Sequence, residues 1–142
     1  MDREVFRTIV ELGIMHPTDS ELIGTARELV GLYQPSSDCA AGNVAAALRT
    51  RSGRIFTGIC VDIPCSIGFC AEHAAVAEML KAHEAEVETI VTVSADTGIM
   101  APCGRCRELL WRLHPTNRDT RVIMSSDRSV TLAELLPEPW HN

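Results

Sequence analysis

Residues 42–61 read GNVAAALRTRSGRIFTGICV, and they set the architecture of the chain. Two runs rich in apolar residues, 42–50 and 54–61, flank the short polar connection Arg51-Ser52-Gly53. A connection of this length that contains glycine is typical of an antiparallel hairpin. We therefore predict that the first two strands are neighbours in one sheet.

Downstream of this hairpin, helix-forming and strand-forming segments alternate. Residues 71–86, AEHAAVAEMLKAHEAE, are dominated by helix formers, and the β-branched run 87–93 follows them. The same order repeats with a helix at 103–114 and a strand at 120–124, and a short helix is expected at 131–136. Because each strand–helix–strand crossover makes its two strands parallel, we predict an α/β fold with a mixed sheet and helices over its faces.

Two helices are expected upstream of the hairpin. Residues 2–14 carry apolar side chains at helical spacing and predict an extra N-terminal helix. A second helix is expected to begin near Thr18 and Glu21, which have the spacing of a capping box, and to run to about Leu32. Since no linker or repeat interrupts residues 1–142, we predict a single domain.

Composition and charge limit the class of partner. Of the 142 residues, 46% are hydrophobic and 23% are charged, the balance of a globular protein. The net charge of −6 opposes attraction to phosphate, which argues against a nucleic-acid polymer and favours a small molecule. The first residues alternate charged and apolar side chains, so we expect neither a signal peptide nor a membrane span, and a cytoplasmic location by default.

Three cysteines and a glutamate form the strongest candidate for a functional site. Cys70 begins the sequence Cys-Ala-Glu, and Cys103 and Cys106 lie in Pro-Cys-Gly-Arg-Cys, each at the start of a predicted crossover helix. Free backbone N–H groups and the positive dipole end of a helix stabilise thiolates there. Three thiolates and one water complete a tetrahedral zinc shell with an exchangeable position, which is the arrangement of a catalytic zinc site.

Glu72 is the expected proton carrier. It lies two residues after Cys70, so its side chain points away from the ligand direction and can reach a water at the metal. In the expected cycle Glu72 takes a proton from the attacking water and returns protons to a ring nitrogen and to departing ammonia. Three thiolates would leave Zn²⁺ with a net negative charge, and Arg105 and Arg107 are either donors that withdraw this charge or ordinary solvated arginines.

Other uses of the same cysteines stay open. The Cys-x-x-Cys pair alone also suits a closed structural zinc site, and a fourth ligand from Cys60, Cys65 or His73 would abolish activation of water. A redox role is less favoured, because no thioredoxin-like strand precedes the pair. The distant third cysteine and its glutamate favour the catalytic interpretation.

At these residues the chain resembles the cytidine deaminase superfamily, whose signature is Cys/His-x-Glu followed by Pro-Cys-x-x-Cys. Cysteine rather than histidine at position 70 is similar to the free-nucleoside branch, and the resemblance runs from about Gly42 to Pro137. Four short stretches resemble blasticidin S deaminase more than ordinary cytidine deaminase: GRIFTG at 53–58, PCGRCR at 102–107, LHP at 113–115 and ELLP at 134–137.

The resemblance implies a three-layer α/β/α sandwich, a bound Zn²⁺ and a homotetramer in which neighbouring subunits complete each active site. It also implies substrate binding by Ala71 and by Cys60 and Asp62, which take the places of the family's ribose-binding Asn and Glu. Two further departures are Gly42, where the family has a base-stacking Phe, and His73, where it has Arg. A different base or sugar would account for these changes.

The leading functional expectation is zinc-dependent hydrolytic deamination of an aminopyrimidine nucleoside, cytidine- or deoxycytidine-like, to its oxo product plus ammonia. One alternative is a deaminase of a cytosine-containing nucleoside antibiotic such as blasticidin S. An alternative from another class is a zinc-stabilised binding protein without turnover. Editing of an RNA or DNA polymer is disfavoured by the acidic charge.

Overall fold

The computed structural model describes Asp2 and residues 17–141. Apart from Asp2, the helix expected at 2–14 lies outside the described residues. The described elements, in chain order, are α1 (Pro17–Leu29), β1 (Ala40–Thr50), β2 (Ile55–Asp62), α2 (Ala71–Lys81), β3 (Val87–Ser94), β4 (Gly98–Met100), α3 (Gly104–Leu113), a 3-10 helix (Pro115–Asp119), β5 (Arg121–Ser125), β6 (Arg128–Thr131) and α4 (Leu132–Leu135). Within this part of the chain, every helix is too short or too polar to cross a membrane.

The strands form one mixed sheet in the order β2-β1-β3-β5-β6, and β4 pairs with the end of β3. β1 pairs antiparallel with both β2 and β3, so β2 and β3 run parallel on either side of it. β3 and β5 pair directly in parallel. Both predicted crossovers are therefore present, and the helices α2 and α3 begin at the edge where β2 and β3 end, which is where α/β proteins place ligands.

The predicted hairpin is confirmed, with Ala45 opposite Ile59. The pairing is irregular just before Ala45, and Gly42 lies in this irregular part with φ +83°. A Cβ on Gly42 would also collide with the carbonyl oxygen of Gly31. Both the backbone conformation and the steric contact therefore exclude a larger residue at this position.

Two short strands and two helix ends differ from the sequence-based prediction. The sequence pattern does not predict β4 and β6, which are three and four residues long and too short to show a period of two. α1 ends at Leu29 instead of Leu32, because Tyr33 exchanges backbone hydrogen bonds of 2.8 and 2.7 Å with Ala41 and returns the chain to the sheet. α2 ends before residue 86, since His83 adopts a left-handed φ of 61°.

Helices cover both faces of the sheet. The buried cluster between α1 and the sheet consists of Leu22, Ile23, Ala26, Ala47, Val91, Val93 and Ile123. The larger cluster on the opposite face, under α2, α3 and α4, includes Ala46, Leu48, Ala75, Val76, Met79, Ile90, Leu110, Val122 and Leu132. Successive residues of β1 and β3 thus point to opposite faces, as the period of a strand requires. The expected three-layer α/β/α arrangement is confirmed.

β2 and α2 are in direct contact at Gly58. A Cβ on Gly58 would lie 2.6 Å from the carbonyl oxygen of Ala71 and closer still to the backbone nitrogen of Ala75. These are backbone atoms, so they cannot yield without moving α2. We expect Gly58→Ala to lower the free energy of unfolding by about 1–3 kcal/mol, the usual cost of overpacking. Chemical denaturation will measure the change.

Gly24→Ala in α1 is the matched control for this substitution. No atom lies within 4 Å of a Cβ built on Gly24. Because alanine is favoured over glycine in a helix by about 1 kcal/mol, this variant should be as stable as the wild type or more so. If the free energy of unfolding fell equally in the two variants, the contact at Gly58 would not be the cause of the destabilisation.

Candidate active site

Three cysteine sulfurs meet where α2 and α3 begin. Cys70 is the N-cap residue of α2 and Cys103 is that of α3. The Sγ of Cys103 lies 3.7 Å from the Sγ of Cys70 and 3.4 Å from the Sγ of Cys106. The fold therefore brings together the three residues that the sequence nominates as metal ligands, although more than thirty residues separate Cys70 from the other two.

The spacing of the sulfurs fits zinc. Thiolates bound at about 2.3 Å to a tetrahedral zinc lie about 3.8 Å apart. This value is close to the 3.7 Å between the sulfurs of Cys70 and Cys103. Backbone N–H groups of Arg105 and Cys106, in the first turn of α3, also donate to the sulfur of Cys103. The donor set thus suits Zn²⁺, and Cys70, Cys103 and Cys106 are the residues that would hold it.

The three thiols differ in how readily they ionise. Burial raises the pKa of Cys70 and that of Cys106. Burial also acts to raise the pKa of Cys103, but hydrogen bonds from the neighbouring cysteines and from backbone N–H groups outweigh it, so this pKa is lowered. Because thiolates so close together repel one another, a bound cation is needed for all three to be deprotonated at once.

His73 lies against the same cluster. Its Nδ1 is 3.4 Å from the Sγ of Cys106, and the possible ligand atoms of Cys70, His73 and Cys106 all lie within 4.8 Å of one another. Burial, and then the charge of Arg105, lower the pKa of His73, so the ring is neutral at neutral pH. A neutral imidazole either donates its Nδ1–H to the sulfur or binds a metal through the unprotonated nitrogen. The cluster therefore contains a possible fourth ligand.

Glu72 lies in the first turn of α2 and is only 3% exposed. Its Oε1 accepts a hydrogen bond of 2.8 Å from the Oγ1 of Thr92, which belongs to β3. Glu72 lines the same cavity as Cys70 and Cys103. A carboxylate held beside the cysteine cluster and facing a cavity is placed to move protons to and from a bound molecule.

A cavity of about 700 Å³ opens in front of the cysteine cluster, a size typical of small-molecule sites. Its walls come from the start of β1, the end of β2 with the loop after it, the start of α2, β3 at Thr92, and the connection from β4 to α3. The polar, charged and aromatic residues in the wall are Asn43, Cys60, Asp62, Ser66, Phe69, Cys70, Glu72, Thr92, Cys103 and Arg105. The cavity thus combines the cysteine cluster with several groups that can orient a ligand.

The three residues expected to bind substrate all line this cavity. Cys60 is buried, accepts a hydrogen bond of 3.3 Å at Sγ from the backbone N–H of Val44, and lies 3.7 Å from the Oδ2 of Asp62. Asp62 is exposed, whereas Ala71 is fully buried at the start of α2. Of the three, Asp62 is the residue that presents a charged acceptor to the cavity.

The two arginines have different surroundings. Arg105 is exposed and lines the cavity. Arg107 donates its Nε–H to the carbonyl of Pro102 at 2.8 Å and its Nη1–H to the carbonyl of Leu135 at 3.1 Å. Arg107 therefore links the connection before α3 to α4.

Of the polar, charged and aromatic residues in the cavity wall, sequence reasoning missed four: Asn43, Ser66, Phe69 and Thr92. Asn43 donates a hydrogen bond of 3.0 Å to Asp96, and Phe69 is 41% exposed. An aromatic residue directly before Cys70 is a signal that could have identified Phe69. Thr92 gives no such signal, because threonine is an ordinary strand residue within a β-branched run.

Two relatives match most of the chain in sequence. The chain is 31% identical over 118 residues to cytidine deaminase from Halalkalibacterium halodurans, which covers 79% of this chain and 83% of the relative. It is 27% identical over 132 residues to blasticidin-S deaminase from Bacillus cereus, which covers 84% of this chain and 89% of the relative. No protein-family model matches the chain.

The architecture also matches solved structures. Cytidine deaminase from Mycobacterium tuberculosis has a TM-score of 0.71 to this chain at 27% identity, covering 86% of this chain and 96% of that one. The fold and the site define an α/β protein with a mixed sheet between helical layers and a possible metal centre at two helix starts. The chain belongs to the cytidine deaminase superfamily.

Proposed function

We propose that the chain is a zinc-dependent hydrolase that deaminates an aminopyrimidine nucleoside of the cytidine or deoxycytidine type to its oxo product and ammonia. The observation that carries this proposal is the buried carboxylate of Glu72 beside three convergent thiols, with Glu72, Cys70 and Cys103 in the wall of one cavity. The likeness to proteins named cytidine deaminase and blasticidin-S deaminase supports a nucleoside-like substrate.

In the proposed reaction the metal and the residues of the chain have different roles. Zn²⁺ held by Cys70, Cys103 and Cys106 would activate water for attack on the amino-bearing ring carbon. Glu72 accepts the two protons of that water one after the other, and delivers the first to the ring nitrogen and the second to the departing amine. One water is consumed and one ammonia leaves, so an oxygen replaces the exocyclic nitrogen and no redox partner is needed.

The cavity wall supplies orientation for the substrate. Asp62 would accept hydrogen bonds from sugar hydroxyls, and the ring of Phe69 offers a surface on which a base can stack. Gly42 cannot take the stacking role, since a side chain there would collide with Gly31. The proposed base contact therefore comes from the loop before α2 instead of from β1.

His73 has a place in the proposal as a hydrogen-bond donor. With its Nδ1–H directed at the sulfur of Cys106, it would withdraw charge from the thiolate and leave one metal position open. If His73 instead bound the metal together with all three cysteines, the shell would be closed, and a zinc-stabilised binding protein without turnover would be favoured. X-ray absorption at the zinc edge separates the two cases, since a coordinated imidazole adds multiple scattering.

The purified protein is expected to carry about one zinc per chain and to release ammonia from cytidine and deoxycytidine. The assay compares cytosine, cytidine, deoxycytidine and blasticidin S at equal concentration. Selective release from blasticidin S would favour the antibiotic-directed alternative, which the relative of that name supports. A zinc-loaded protein that releases ammonia from none of the four would contradict both assignments.

For assembly we propose a homotetramer, and for location the cytoplasm. Ile67, Phe69 and Met100 are large apolar residues with 67%, 41% and 39% of their surface exposed, and two of them line the cavity. Covering such residues with a second copy of the chain would also close the open side of the cavity. This exposed apolar group supports the idea that neighbouring subunits complete each site.

A further inference from the structure

The carboxylate of Glu72 is held from the sheet by one side chain. The Oγ1 of Thr92 donates a hydrogen bond of 2.8 Å to its Oε1, and Thr92 and Glu72 are each only 3% exposed. Among residues 17–141 this is the one side-chain hydrogen bond that the carboxylate receives. We propose that Thr92 is a positioning residue that fixes the Glu72 carboxylate for proton transfer, an inference that rests on the proposed function.

The sheet leaves Thr92 little freedom to point elsewhere. Residues of β3 alternate between faces, so Val91 and Val93 enter the cluster under α1 while Ile90 enters the cluster under α2. Thr92 therefore faces α2, and it is paired with Ala46 on β1 and Met100 on β4. A β-branched side chain has a restricted χ1, so the backbone of a strand that is paired on both edges limits the directions that the hydroxyl can take.

The hydrogen bond from Thr92 gives the two carboxylate oxygens of Glu72 different roles. Oε1 is occupied by the Thr92 hydroxyl, and Oε2 is left for the water and for the ring nitrogen of the substrate. Without that bond the carboxylate could rotate about its terminal torsion, which is broad for glutamate. Proton transfer needs donor and acceptor within hydrogen-bond reach, so a freely turning carboxylate would spend less time in the reactive geometry.

The test compares Thr92→Val with Thr92→Ser. Valine keeps the shape and strand preference of threonine but removes the hydroxyl, whereas serine keeps the hydroxyl. We expect Thr92→Val to lower kcat about ten- to a hundredfold with little change in KM, since the misplaced group acts in the chemical step. Thr92→Ser should restore kcat to within about threefold of the wild type.

Thr89→Val is the matched control. Thr89 lies on the same strand, is fully buried, and its Oγ1 has no hydrogen-bond partner among the described residues. Removal of this hydroxyl should leave kcat unchanged. A loss of kcat in Thr89→Val equal to that in Thr92→Val would assign the effect to the strand and overturn the proposal.

Two readouts do not depend on turnover. Zinc content should be the same in the wild type and in Thr92→Val, and a crystal structure of Thr92→Val should show the Glu72 carboxylate rotated or in two positions. A carboxylate unmoved in that structure, or a kcat equal to that of the wild type, would overturn the proposal.

If the Val variant does not fold, Thr92→Ala carries the same expectations. Failure of the proposed function has a different signature, since the wild type would then release no ammonia while the crystallographic comparison could still be made.

Discussion

Glu72→Gln is expected to lose about a thousandfold or more in kcat while keeping its zinc and its fold, because the amide cannot carry a proton. The substitution preserves shape, and the carbonyl oxygen of glutamine can still accept the hydrogen bond from Thr92. Any loss of turnover is therefore chemical and does not reflect a displaced side chain. Steady-state ammonia release, zinc analysis and thermal unfolding of the same preparation measure the three quantities.

Glu78→Gln is the control for this variant. Glu78 lies on the same helix but on its exposed face, where it pairs with Lys81 at 2.9 Å. A surface pair of this kind contributes little to stability, so turnover and unfolding should match the wild type. If Glu72→Gln retained full turnover, Glu72 would not be the proton carrier. If neither the wild type nor the variant had any turnover, the zinc-stabilised binding protein would be the better assignment.

Cys106→Ser is expected to lose zinc and turnover together. Cys106 is fully buried, and its sulfur lies 3.4 Å from that of Cys103. A serine hydroxyl is a poor ligand for zinc, and the two remaining thiols would have to share a site built for three. We expect zinc affinity to fall by at least about a hundredfold and ammonia release to become undetectable. Metal analysis after dialysis against a chelator measures the first effect.

Cys65→Ser is the control that tests whether a cysteine outside the cluster is needed for zinc binding. Cys65 is exposed in the loop between β2 and α2, with a left-handed φ of 64° that serine tolerates about as well. The variant should keep about one zinc per chain and full turnover, because three other cysteines form the site. Loss of zinc from Cys65→Ser would instead indicate a fourth cysteine ligand and a closed structural centre.

The parts of the fold that could be predicted are those with a recognisable pattern of residue types within a short stretch of sequence. The hairpin connection at 51–53, the alanine-rich run after Cys70 and the β-branched run from Val87 each carry their own signal within a few residues. The early end of α1 is different, because it follows from the pairing of Tyr33 with Ala41. That pairing is a tertiary contact, and helix propensity alone cannot anticipate it.

In the candidate site, too, some residues could be predicted from the sequence and others could not. Cys70, Glu72 and the Cys-x-x-Cys pair were identifiable because zinc chemistry restricts both residue type and spacing. The contact from Thr92 to Glu72 joins residues twenty positions apart on different elements, so it exists only once the sheet and α2 are packed together. The carbonyl partners of Arg107 are equally invisible in the sequence, since they depend on where α4 lies.

The contact between Gly58 and α2 has a consequence for how such a protein can diversify. It holds α2, whose N-cap residue is Cys70, close against β2, whereas Cys60 and Asp62, farther along the same strand, line the cavity. We therefore expect mutations at those two positions to change which molecule the cavity accepts without displacing the cysteine cluster. We expect proteins that share this scaffold to differ in substrate while Glu72 and the cysteine cluster keep their positions.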